Sequence, residues 1–158
     1  YGVAGVWGWD DGDRATPGHP AAGTPPSWRD SVTYEGGEQV VHLTEFFQSI
    51  DFHKLRPDPA VLIEQPGDDE LAKYVAASSA ADGSLVVVYT PTEVRLKINV
   101  AKLPAPLLAN WVNPRTGERQ DVLAVLRGSA LECPAPDAGD WLLVLRAKKP
   151  EPEPTGRR

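Results

Sequence analysis

Val94-Arg95-Leu96-Lys97-Ile98-Asn99-Val100 alternates apolar and polar side chains without a break. A period of two is that of a pleated strand with one buried and one wet face. This stretch therefore predicts a half-buried β-strand, and it sets the fold class. On its N-terminal side, Leu85-Val86-Val87-Val88-Tyr89 is apolar on both faces, as a central strand would be. Far downstream, Trp141-Leu142-Leu143-Val144-Leu145 reads the same way. Weaker strands are expected at Val61-Leu62-Ile63, Tyr74-Val75-Ala76-Ala77, Leu108 to Val112 and Val122 to Leu126. Turn chemistry separates them: Asp82-Gly83, Pro91-Thr92, Asn113-Pro114-Arg115-Thr116-Gly117, Arg127-Gly128 and Ala138-Gly139. Short strands with frequent turns predict a mainly β chain with an antiparallel β-sandwich of about seven or eight strands over residues 61–147.

Upstream the pattern changes. From Glu38 the period is helical, with Val40, Leu43, Phe47 and Ile50 on one face and Phe46 beside them. Ser27 is a candidate cap, and Asp30 completes a capping-box variant three residues on. Gly36-Gly37 reads as an interruption between the two helical stretches. Residues 51–60, with Arg56-Pro57-Asp58-Pro59, read as a linker. Tyr1-Gly2-Val3-Ala4-Gly5-Val6-Trp7-Gly8-Trp9 is a continuous apolar run, typical of a parallel strand covered on both faces. Such a strand needs neighbours that the rest of the chain does not offer. Residues 10–26 carry Asp10, Asp11, Asp13, Pro17-Gly18 and Pro25-Pro26 and read as a loop. The proline-spaced tail, 148–158, is expected to be extended, because proline has no N–H for a ladder.

Composition narrows the function. The chain has 158 residues, a formal net charge of −6 and no cluster of Lys and Arg forming a stripe, which argues against a nucleic-acid partner. No apolar run is long enough to cross a membrane. The single cysteine, Cys133, excludes an intrachain disulfide and reads as a small buried apolar residue. His19, His42 and His53 show no ligand spacing, so no metal or other cofactor is expected. His42 and Glu45 lie three apart on a predicted helix and can touch. There is no nucleophile elbow and no phosphate-cradling glycine loop. The chain holds no methionine and starts at Tyr1, which reads as a processed or cut end.

These segments resemble a known family. Tyr1 to Trp7, Trp28-Arg29-Asp30-Ser31-Val32 and Gln39-Val40-Val41-His42-Leu43 with Phe46-Phe47 resemble the end of the apiosidase-like glycoside hydrolase barrel. Tyr74 to Ala77, Ala81 to Ser84, Val88 to Pro91, Trp111 to Gly117 and Asp140 to Leu145 look like the small domain that follows it, labelled "putative collagen-binding domain of a collagenase". The resemblance implies that residues 1–50 are the last strand and closing helices of a (β/α)8 barrel whose N-terminal part is missing. It also implies a secreted or periplasmic location and a glycan substrate for the parent enzyme.

Glycosidases use two carboxylates flanking the scissile bond. By resemblance these come from earlier barrel strands, so no catalytic residue is expected in this chain. Barrel active sites lie at the C-terminal ends of the strands. That makes Trp7, Trp9 and Asp10 the candidate substrate-binding residues, a flat indole being a surface on which a sugar face can pack. The bland alternative is a core tryptophan under a loop of solvated acids. Trp111 and Trp141 read as core, with ligand stacking as the alternative, and Arg115 as a solvated turn residue. Two functions lead: an accessory sandwich that stabilises the barrel, and a binding module for carbohydrate or collagen; a third, a free-standing structural protein, requires the N-terminal apolar strand to pair within this chain. Burial of Trp111 and Trp141 separates the first two.

Overall fold

A computed structural model of the chain describes residues 27–31 and 33–148. The chain divides into two compact units, Tyr1–Ser49 and Ile50–Arg158.

In the first unit, α1 spans Trp28–Ser31 and α2 spans Glu35–Gln48. The cap expected at Ser27 forms: Ser27 Oγ accepts the Asp30 backbone N–H at 3.1 Å, and the Asp30 side chain returns to the Ser27 hydroxyl, which donates to Oδ2 at 2.7 Å. Gly36-Gly37 does not interrupt the helix but lies in the first turn of α2. The helix is then carried by its apolar stripe and by Gln39 Nε2 donating to Glu35 Oε1 at 2.9 Å. Phe46, not Phe47, is the buried member of the aromatic pair. The two rings meet edge-on at 5.4 Å. The spacing suits either ring, since both stand three or four residues from Leu43, and packing buries Phe46. His42 Nδ1 lies 3.6 Å from Glu45 Oε2, as the spacing predicts.

The second unit is an antiparallel sandwich. Its strands are β1 (Leu55–Pro57), β2 (Ala76–Ala80), β3 (Leu85–Thr90), β4 (Arg95–Asn99), β5 (Leu107–Val112), β6 (Arg119–Asp121), β7 (Val125–Arg127), β8 (Ala130–Pro134) and β9 (Trp141–Ala147). Six form one sheet in the order β1-β2-β3-β9-β5-β6, and three form the other in the order β4-β8-β7. The alternation at 94–100 is realised: Leu96 and Ile98 are fully buried, while Arg95 is exposed. β3 and β9 pair from Leu85↔Arg146 to Thr90↔Trp141 at the middle of the larger sheet. Between the sheets, Val86, Val88, Leu143 and Leu145 meet Leu96, Ile98 and Cys133, with Trp111 and Trp141 among them. Burial pushes the Cys133 thiol up to about 11, because an apolar site disfavours the thiolate.

Three expectations are corrected. The stretch read as a linker, 51–60, contributes β1, which pairs with β2 from Leu55↔Ala80 to Pro57↔Ser78 at the sheet edge, where proline's missing donor faces no partner. Val61-Leu62-Ile63 is not a strand: Pro59–Val61 is a 3₁₀ turn, and only Leu62 bridges to Ile98. Val122 to Leu126 is not one strand: residues 122–124 cross from β6 to β7, and Val125 and Leu126 already belong to β7, in the other sheet. Gln65 substitutes for a strand neighbour, since its Oε1 accepts the Val75 N–H at 2.9 Å and its Nε2 donates to the Val75 carbonyl at 2.8 Å.

Candidate functional site

The β5–β6 turn and the start of β9 converge at one end of the sandwich. Asn113 opens the turn. Its side-chain oxygen accepts the Arg115 backbone N–H at 2.9 Å and Arg115 Nε at 3.1 Å, while its carbonyl accepts the Gly117 N–H at 2.8 Å. Arg115 is therefore folded back rather than pointed into solvent. Its Nε lies 3.2 Å from Asp140 Oδ1, and its Nη2 lies 3.8 Å from Asp137 Oδ1. A Cβ placed on Gly139 would meet the Arg115 guanidinium, so this glycine is the surface on which the side chain rests. The expectation of a solvated turn arginine is corrected: its partners lie on a loop far downstream that the fold brings alongside.

Asp137 is the hub of that loop. Its Oδ1 accepts the Gly139 N–H at 2.7 Å and the Trp141 indole N–H at 2.9 Å. Those two donors, the indole first, together with the nearby Arg115 charge, hold the Asp137 carboxyl below its ordinary range. Tyr89 donates to Asp140 Oδ2 at 3.5 Å. Arg115 and the two donors bind up the Asp137 carboxylate, and a general acid for glycoside cleavage needs the opposite shift. The cluster is an architectural lock that closes the sandwich over its core.

That lock sits over Trp111 and Trp141, each only 2% exposed, with rings edge-on at 6.4 Å and 74°. Neither offers a face to a ligand. Trp7, Trp9 and Asp10 lie outside the described residues. Among the described residues, no group of three His, Cys, Asp or Glu side chains is arranged to hold a metal ion. Nor is any helix among them long and apolar enough to cross a membrane. The sandwich does leave apolar side chains in water. Leu123, Val125 and Leu126, on and beside the edge strand β7, are 83%, 53% and 63% exposed.

Comparison with known proteins yields the following. Residues 57–146 match the family model described as "Putative collagen-binding domain of a collagenase". A solved structure described as "Glycoside hydrolase" superposes with a TM-score of 0.67 at 18% identity, covering 84% of this chain and 31% of its own. A glycoside hydrolase family 5 structure from Bacteroides vulgatus gives 0.66 at 16% identity, covering 84% and 30%. At these identities the likeness is one of fold, and the chain spans under a third of each neighbour. No curated protein matches.

Proposed function

The chain belongs to the family described as "Putative collagen-binding domain of a collagenase", and on that premise we propose that its sandwich is the accessory domain of a glycoside hydrolase, packed on the catalytic barrel and stabilising it. The burial of Trp111 and Trp141 carries this reading, because it removes the aromatic platform that a glycan- or collagen-binding face would use. The neighbours add a second support. Both carry glycoside hydrolase descriptions, and each is about three times the length this chain spans. The exposed side chains of Leu123, Val125 and Leu126 would be an aggregation liability on a free domain and an asset under a second one.

In this reading, residues 1–50 are the last strand and closing helices of an apiosidase-like barrel. Trp7, Trp9 and Asp10 contact the glycan at its rim, and the parent enzyme is secreted or periplasmic. The catalytic carboxylates lie on the missing part of the barrel, so this chain has no activity alone. The test is the heat stability of the parent hydrolase. Replacing Leu123 and Leu126 by Lys should shorten its half-life at elevated temperature several-fold without changing kcat at room temperature. An unchanged half-life, or tight binding of a triple-helical collagen peptide by the present chain, would overturn the proposal in favour of a binding module.

A further inference from the structure

We propose that a cavity of about 260 Å³ beside β2 binds a single neutral sugar ring. The cavity lies wholly within the sandwich and away from the Arg115 lock. Its wall is built from Asp58 and Val61 at the two ends of the 3₁₀ segment after β1, Ser79 near the end of β2, Asn99 as the last residue of β4, and Lys102 and Leu103 beyond it. Ser79 Oγ donates to Asp58 Oδ2 at 2.6 Å and fixes the carboxylate's orientation. Asp58 Oδ1 has no further partner among the described residues. Asn99 Oδ1 is occupied by the Ala101 N–H at 3.1 Å, which leaves its two amide hydrogens without a partner among them. The Lys102 ammonium likewise has none.

The rim is held in place. Gly83, at φ +69°, lets the β2–β3 turn approach the 102–104 loop, where a Cβ would stand 3.0 Å from Pro104 Cδ and 3.2 Å from the Lys102 carbonyl oxygen. Asp82 Oδ1 locks that turn by accepting the Ser84 N–H at 2.9 Å and the Ser84 hydroxyl at 2.6 Å.

The chemistry of the wall selects the occupant. An anion meets the Asp58 carboxylate, and a cation meets the Lys102 ammonium. A neutral polyol uses both, giving hydroxyl hydrogens to Asp58 and accepting from Asn99 and Lys102. The apolar side chains of Val61 and Leu103 offer the C–H face of a ring a dry surface. The volume falls just short of the roughly 300–1,000 Å³ of sites for drug-sized ligands, so the occupant is one ring and not an oligomer. This site is independent of the stabilising role: it is read by ligand binding, the other by heat inactivation of the parent enzyme.

The experiment titrates the ¹⁵N-labelled full chain with methyl β-D-galactopyranoside and methyl β-D-xylopyranoside. Glycerol is the control, with hydroxyls but no ring. The sugars should reach about 10 mM, tenfold above a dissociation constant of about 1 mM. The expected result is saturable amide shifts confined to Asp58, residues 79–83 and residues 99–103 for at least one of the two sugars. Affinity should drop at least about tenfold in Asp58→Asn, which keeps an oxygen for Ser79, and in Lys102→Ala, which removes an exposed side chain. No saturation with either sugar, shifts centred elsewhere, equal shifts with glycerol, or unchanged affinity in both variants would each overturn the site.

Discussion

The indole N–H of Trp141 donates to Asp137 Oδ1 at 2.9 Å, so a ring buried in the core is tied to a carboxylate on the surface. The same oxygen accepts the Gly139 N–H and faces Arg115, and in this way the end of the sandwich is closed by charge as well as by packing.

Asp137 should make the sandwich acid-sensitive. Its folded pKa lies below the ordinary value of 3.8. Its stabilisation is therefore complete above that value and is lost as pH falls through the lower, folded one. Urea midpoints measured from about pH 6 down to about pH 2.5 should fall more steeply for the parent than for Asp137→Asn, which keeps a neutral acceptor for the indole. Parallel slopes would show that the carboxylate contributes nothing.

Trp111 should be among the costliest positions to truncate. Trp111→Ala removes a large ring from between the sheets and is expected to cost about 3–5 kcal/mol by denaturant unfolding, with Trp111→Phe costing distinctly less. A loss below about 1 kcal/mol would mean that the ring does not pack as described.

Cys133 should be silent until the fold opens. Native protein is expected to leave a thiol reagent unreacted, and unfolded protein to consume one equivalent. The folded thiol stands at about 11 against an ordinary 9.0, so its contribution is complete below about pH 9 and is lost as pH rises through 11. Cys133→Ser should cost more than Cys133→Ala, by about 1–3 kcal/mol, because it buries a hydroxyl. Rapid labelling of native protein would contradict the burial.

The strands β3, β4 and β9 were legible because their patterns report burial directly, whereas β8, the middle strand of the smaller sheet, was not read as a strand. Leu96 and Ile98 alternate with polar residues, and β9 is apolar on both faces because it lies mid-sheet. The three-residue edge strands of the larger sheet were not legible. Leu55–Pro57 carries an arginine and a proline, and it is a strand only because β2 lies beside it. Arg119–Asp121 is wholly polar. A local pattern likewise cannot show that Val122 to Leu126 passes from one sheet to the other.

The candidate site divides along the same line. The Asn113–Gly117 turn is local chemistry and was readable. The destination of Arg115 was not, because Asp137 and Asp140 reach it through the long-range pairing of β5 with β9. Whether Trp111 and Trp141 faced ligand or core was open in the sequence, since a strand tryptophan suits either, and packing between the sheets decides it. The wall around Asp58 left no trace, as its groups come from three separate segments.

The position of β9 also sets a timetable. It unites β3 with β5, yet a ribosome makes it after both. Until it emerges, the larger sheet exists as two halves with open, sticky edges, and no earlier stretch can stand in for it. Assembly is thus withheld and then concerted, of the slow kind that distant pairings impose. A product stalled before Trp141 is an unsealed sheet, ready for proteases and self-association.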